Sequence, residues 1–213
     1  MEMEALLREM EAYAAEHHVP ILREGERSLF VRLVREANPL RALELGTGIG
    51  YSTLLLAMSG AMEILSLERD GDRAATARNF IRRSAFGERI RVLAGDASKL
   101  LEGLEGPFDF LFLDAAKGQY PRYFRQALPL LSPRAMVLAD NVLFRGYVRS
   151  ADRPPRRFRT IAKRLKEYLG LVGCAPGFAT EILEEGDGLA VSRRFGYEEE
   201  TGTAGPGRQP GKA

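Results

Sequence analysis

At 213 residues, with 45% hydrophobic and 28% charged side chains, the chain has the size and balance of one globular domain with a sizeable core. A formal net charge of +2 does not by itself mark a nucleic-acid binder, and a single cysteine, Cys174, excludes an intrachain disulfide and any zinc site built on several thiolates. No apolar run approaches the roughly 18–20 residues that span a bilayer, and the acidic, amphipathic start lacks the form of a secretory signal, so a cytoplasmic protein without membrane attachment is expected.

Two helical patterns come first, over 2–16 (Met3, Leu6, Leu7, Met10, Ala14) and 26–37 (Leu29, Phe30, Leu33, Val34, Ala37), separated at Pro20. Then β-like runs at 41–45, 63–68, 90–94, 108–114 and 135–140 alternate with helical patterns near 51–58, 70–84, 97–102 and 120–131. Such alternation predicts right-handed βαβ crossovers and a parallel sheet covered on both faces, and the nearly continuous apolar runs fit strands buried on both sides. A basic helix is predicted over about 154–169, and Cys174, in L-V-G-C-A-P-G, is expected to be buried. Two final runs, 178–183 and 189–195, flank E-E-G-D-G, a hairpin signal that makes them antiparallel. The domain is thus expected over 1–197, with a helical lid region at 1–38. Residues 198–213 carry no large apolar side chain and read as a disordered tail.

G-T-G-I-G follows the first strand directly and leads into a helix. Its glycines (Gly46, Gly48, Gly50) allow a tight turn and close approach to a ligand at the helix start. Glu68, 22 residues beyond Gly46 at the end of the second strand, is placed to accept hydrogen bonds from a ribose. Glu44, just before the loop, would repel a pyrophosphate but suits a ligand bearing an ammonium and a sulfonium, as S-adenosylmethionine does; it could also pair with an arginine. Asp96, after the third strand, could hold an adenine amino group or cap the next helix.

Asp114 closes the fourth strand, and Asp140 and Asn141 close the fifth, at the carboxyl ends that border the ligand crevice of a doubly wound sheet. Each alone could be an ordinary turn former. Together they make an all-oxygen donor set suited to Mg²⁺, Mn²⁺ or Ca²⁺ and poor for zinc or copper. Lys117, three residues beyond Asp114, could accept a hydroxyl proton beside such a dication.

These motifs, L-E-L-G-T-G-I-G-Y-S, D-A-A-K-G-Q-Y, A-D-N-V-L-F-R-G and G-D-G-L-A-V-S, resemble the metal-dependent O-methyltransferases related to catechol O-methyltransferase. With E-H-H-V-P-I, the pattern is similar, more narrowly, to the bacterial tRNA 5-hydroxyuridine methyltransferases, which make 5-methoxyuridine at the wobble position. The resemblance spans about 10–195. It implies a Rossmann-like, doubly wound α/β fold with a seven-stranded, mostly parallel sheet, a C-terminal antiparallel pair and helices on both faces, usually in a homodimer. It further implies that Asp114, Asp140 and Asn141 bind Mg²⁺ and that Lys117 is the catalytic base. Leu22, Glu44, Gly46, Ser52, Glu68, Asp96, Ala97 and Asp114 would line the S-adenosylmethionine site. The N-terminal helical region is shorter than is usual for this family, and the Gly-Pro tail is an addition to it.

One further pattern bears on the substrate. Between Arg145 and Lys166 nine basic residues face a single acid, Asp152, in a stretch that starts directly after the expected metal ligands. A basic strip at the mouth of the crevice would serve a phosphate backbone, with Arg145, Arg149, Arg156 and Arg157 as candidate contacts to the anticodon region of a tRNA. A solvated helix face would look the same. The alternative substrate is a catechol-like vicinal diol, for which aromatic walls would be expected; the chain has no Trp and 8% aromatic residues.

Overall fold

The structure is a computed structural model that describes residues 3–184 and 186–195. The expected tail, 198–213, lies outside the described residues. Two N-terminal helices, α1 (Met3–Glu16) and α2 (Glu24–Ala37), precede β1 (Arg41–Leu45), α3 (Tyr51–Met58), β2 (Glu63–Glu68), α4 (Gly71–Arg83) and β3 (Ile90–Ala94). There follow α5 (Ala97–Leu101), β4 (Phe108–Leu113), α6 (Tyr120–Ala127), β5 (Leu131–Ala139), α7 (Arg159–Gly173), β6 (Phe178–Leu183) and β7 (Leu189–Arg194).

The seven strands form one sheet in the order β3-β2-β1-β4-β5-β7-β6. Pairings from β3 to β5 are parallel, whereas β7 runs antiparallel to both β5 and β6. The order in which strands are added reverses between β1 and β4, and at that switch point the flanking helices diverge and leave a crevice at the carboxyl ends. The alternation within each strand divides the core into two layers. Ala42, Phe110, Phe112 and Leu138 face one side and pack under Leu6, Met10, Phe30 and Leu54 of the first three helices. Leu43, Leu111, Leu113 and Val137 face the other, against Leu101, Phe124, Leu165 and Tyr168. Because α1 buries Leu6, Leu7 and Met10 completely or almost so, it is a layer of the core, and only the linker after it overhangs the crevice.

Three expectations need correction. The basic helix begins at Arg159, not near 154, and continues to Gly173. Pro155 holds an extended backbone (φ −48°, ψ 145°), and each proline disfavours the helical conformation of the residue before it, so the helix waits until the Pro154-Pro155 pair is passed. At its other end Tyr168 and Val172 bury one face and carry the helix through Gly170. The fifth strand starts at Leu131 rather than 135, with a register irregularity opposite Phe108 and Phe110 accommodating Ser132-Pro133. Cys174 is exposed, because it sits just past the last buried turn of α7. Among the described residues no helix is long and apolar enough to cross a membrane.

Candidate active site

The crevice has a volume of about 700 Å³, within the usual range for a small-molecule site. It is built by continuing the sheet's hydrogen-bond ladder one residue past each strand. The Gly46 N–H donates to Leu67 (2.9 Å), the Asp114 N–H to Leu45 (2.9 Å) and the Asp140 N–H to Leu113 (3.0 Å). The glycine loop and both aspartates are therefore fixed in a row along the edge of the sheet.

Gly46 has φ +102°, and a Cβ built on it would stand 2.1 Å from the Asp114 carbonyl oxygen. Only glycine lets the loop lie against the end of β4. The next turn is tied to Glu68, whose two carboxylate oxygens accept from the Gly48 N–H (2.8 Å) and the Asp70 N–H (2.9 Å). A carboxylate offers about four acceptor positions, so Glu68, which lines the crevice, keeps capacity for two further hydroxyls. Asp96 caps α5 by accepting from the Ser98 N–H (3.0 Å) and also lines the crevice, so both of its expected roles are geometrically available.

Glu44 behaves differently from the expectation. It shares a strand face with Ala42 and points beneath α3, fully buried, and is absent from the crevice lining. Hydroxyls of Ser52 (2.6 Å), Thr53 (2.5 Å) and Ser66 (2.5 Å) donate to it, with no arginine involved. Burial pushes its carboxyl up to about 7 against the pull of those three donors. It is linked to the crevice through Ser52, which lines it, and it braces the junction between the glycine loop and α3.

Across the crevice, β4 and β5 are parallel neighbours with Leu113 opposite Ala139, which places Asp114 and Asp140 side by side. Lys117 Nζ lies 3.2 Å from Asp114 Oδ1 and 3.5 Å from the Tyr120 hydroxyl. Tyr120 is completely buried, and its hydroxyl sits 2.8 Å from the Leu113 carbonyl and 3.2 Å from that of Asp140, bracing the two strand ends. Asn141 adopts a left-handed backbone (φ 53°), with its N–H donating to Asp140 Oδ1 (2.8 Å). Burial raises the carboxyls of both Asp114 and Asp140, and Asp114 raises that of Asp140 further, while Lys117 opposes both shifts. One ammonium is thus set against two buried carboxylates and a nearby third, Glu26.

Among the described residues no three His, Cys, Asp or Glu side chains converge, so any metal here would take two carboxylates and the Asn141 amide. The excess of negative charge and the all-oxygen donors fit a hard dication and would suit a softer metal poorly.

The expected residues Leu22, Gly46, Ser52, Glu68, Asp96, Ala97, Asp114, Lys117, Asp140 and Asn141 all line this crevice. So do Arg23, Glu26, Tyr51 and Tyr123, which the sequence reading does not single out. A smaller annex opens beyond Asn141, bounded by Arg23, Glu26, Arg145, Gly186 and Asp187. Of the basic strip, Arg145 lines the annex; Arg149 is ion-paired to Glu184, and Arg156 and Arg157 lie outside these two cavities. The signal for Tyr51 is its place in Y-S-T at the start of α3. Arg23 and Glu26 give none, since they reach the site only through the path of the linker between α1 and α2.

A family profile described as O-methyltransferase matches residues 2–195. The chain is similar to a catechol O-methyltransferase of Niastella koreensis, 33% identical over 158 residues, covering 70% of this chain and 71% of that protein. A caffeoyl-CoA O-methyltransferase of Populus kitakamiensis is 26% identical over 172 residues, 76% of this chain and 73% of the relative. Among solved structures, an O-methyltransferase of Bacillus cereus in complex with SAH superposes with a TM-score of 0.78 at 27% identity, covering 89% of this chain and 90% of that one.

Proposed function

The chain belongs to the O-methyltransferase family, and from that premise we propose that it transfers the methyl group of S-adenosylmethionine to a substrate hydroxyl, with Mg²⁺ bound by Asp114, Asp140 and Asn141. The observation that carries this reading is the contact of Lys117 with Asp114 beside Asp140, in the same crevice as the Glu68-anchored glycine loop. Glu68 would accept hydrogen bonds from the cofactor's ribose, Asp96 would face its adenine, and the glycine loop leaves room for its backbone-hugging end.

A dication in this position would supply Lewis acidity to a coordinated hydroxyl. The remaining work falls to the chain. As a neutral amine, the form that a neighbouring dication would favour, Lys117 could take the proton the hydroxyl gives up, with Asp114 and the Tyr120 hydroxyl both beside its Nζ. Residues 19–23 line the crevice, and the strand ends, fixed by the sheet's hydrogen bonds, would hold acceptor and methyl donor in line.

For the substrate, the reading extends to 5-hydroxyuridine at the wobble position of a tRNA, with cytoplasmic location and a homodimer as further expectations. Adjacent oxygens on that base could chelate a dication as a catechol does, and the basic stretch after Asn141 would meet phosphates. A second reading, a small-molecule enzyme for catechol-like diols or caffeoyl-CoA-like thioesters, is favoured by the names of the relatives. It gains little from the crevice wall, where the aromatic side chains are Tyr51 and Tyr123. The test is incubation with labelled S-adenosylmethionine and total RNA lacking 5-methoxyuridine, followed by nucleoside mass spectrometry, with catechol and caffeoyl-CoA as parallel acceptors. Labelled 5-methoxyuridine supports the RNA reading; label confined to a small acceptor replaces it.

A further inference from the structure

The stretch that follows the two strand-end residues Asp140 and Asn141 is unusual in its backbone. Asn141, Phe144 and Arg145 all have positive φ (53°, 46° and 57°), a conformation that costs of order 1 kcal/mol or more for each non-glycine residue. It is held there by the β6–β7 turn. The Val142 N–H donates to Gly188 (2.9 Å), the Leu143 N–H to the Asp187 carbonyl (2.9 Å), and the Arg145 N–H to the Asp187 carboxylate. Asp187 is therefore engaged with the backbone of Arg145, and the guanidinium goes elsewhere.

It goes to Phe158. Arg145 Cζ lies 5.3 Å from the centre of that ring, and Arg157 Cζ lies 4.6 Å from it. Phe158 is in turn packed against Phe144 (5.4 Å) and Tyr147 (5.7 Å). Two other arginines of the strip are neutralised: Arg149 by Glu184, and Arg164 by Glu167 at 2.7 Å. Among the described residues neither Arg145 nor Arg157 has a carboxylate partner. Two exposed guanidinium groups are thus oriented by one aromatic ring, and Arg145 lines the annex that it shares with Asn141.

We propose that Arg145 and Arg157, oriented on Phe158, form a clamp for a phosphate group carried by the substrate beside the reacting oxygen. Resting on the RNA reading above, that phosphate is the backbone phosphodiester next to the methylated nucleotide. Arginine suits this because its planar fork grips two phosphate oxygens at once, and stacking on a ring removes much of the side-chain freedom that binding would otherwise have to freeze. The strain at Asn141, Phe144 and Arg145 then has a purpose: it accompanies the turn that sets Arg145 on the annex beside Asn141.

The experiment compares an anticodon stem-loop RNA carrying 5-hydroxyuridine with the free 5-hydroxyuridine nucleoside, which has no phosphate. Arg145→Ala and Arg157→Ala are each expected to weaken RNA binding roughly tenfold. Each should also make the slope of log affinity against log salt shallower by about 0.7, the value for one phosphate no longer neutralised on a single strand. Phe158→Leu is expected to weaken binding in the same direction although both charges remain, and Arg157→Lys to recover only part. Methylation of the nucleoside should fall far less than RNA binding in either arginine variant, and Arg164→Ala should behave as the wild type throughout. Wild-type RNA affinity in Arg157→Ala, or an equal loss of nucleoside methylation in both arginine variants, overturns the clamp while leaving the RNA reading in place. If the wild type ignores RNA but methylates caffeoyl-CoA, and the arginine variants raise the KM for that phosphate-bearing acceptor alone, the clamp stands and the RNA reading falls.

Discussion

Lys117 reaches back one turn to set its ammonium 3.2 Å from the carboxylate of Asp114, and its charge opposes the raised carboxyls of both Asp114 and Asp140. A lysine serving only as a surface charge would have no need of Tyr120, completely buried, 3.5 Å away. The contact ties the proposed proton acceptor to the proposed metal site.

Replacing Lys117 with Ala is expected to lower kcat by about 10²- to 10⁴-fold, the usual contribution of a general base. Affinity for S-adenosylmethionine should change little, since Glu68 and the glycine loop remain. Initial rates together with calorimetric cofactor binding separate the two. A variant that keeps most of its kcat would remove Lys117 from the chemistry.

Gly46→Ala should disable the site from a different direction. The added methyl would meet the Asp114 carbonyl oxygen at 2.1 Å, and the residue must hold φ +102°. The expected loss is about 2–3 kcal/mol of stability, with cofactor binding lost because the loop must lift from β4. Gly48, at φ +55° with open space around it, should tolerate Ala with a smaller loss. Equal effects in thermal unfolding would contradict the crowding argument.

Glu44 gives a pH prediction. Its ordinary value of 4.5 rises to about 7 on burial, so the folded protein holds a proton on it that the unfolded chain releases. Stability from this group is full below about pH 4.5, falls as pH rises toward 7, and is flat above. The total change is on the order of 3 kcal/mol. Glu44→Gln cannot release that proton, so the difference between wild type and variant should drift across this window in favour of the variant. Denaturant unfolding in chelator at several pH values measures it; a constant difference would mean Glu44 is ionised throughout.

Much of this arrangement is legible in the chain. The strands announce themselves because they are buried on both faces, and Asp114 and Asp140 stand out because each ends such a strand. Their being neighbours follows from the order β1-β4-β5 in the sheet, which the alternation of elements alone does not give. For Glu44, strand alternation supplies what charge alone does not: with Leu43 and Leu45 on one face, Glu44 shares the other with Ala42, under the hydroxyls of Ser52 and Thr53. The start of α7 is placed too early when its basic composition outweighs the Pro154-Pro155 pair. Arg23, Glu26, Asp187 and Phe158 are not legible, since each reaches its place through packing between elements far apart in sequence. The basic strip looks uniform as a sequence; the positions of Glu184, Glu167 and Phe158 separate Arg149 and Arg164, which are ion-paired, from Arg145 and Arg157, which lie on the ring.

The central claim is that Asp114, Asp140 and Asn141 hold a dication needed to activate the hydroxyl, and methyl transfer from labelled S-adenosylmethionine in chelator tests it most directly. Turnover should vanish in EDTA, return on adding Mg²⁺ in excess, and fail to return in Asp140→Ala at the same Mg²⁺ concentration. Undiminished transfer by the wild-type protein in EDTA, or by Asp140→Ala under any condition, would contradict the account.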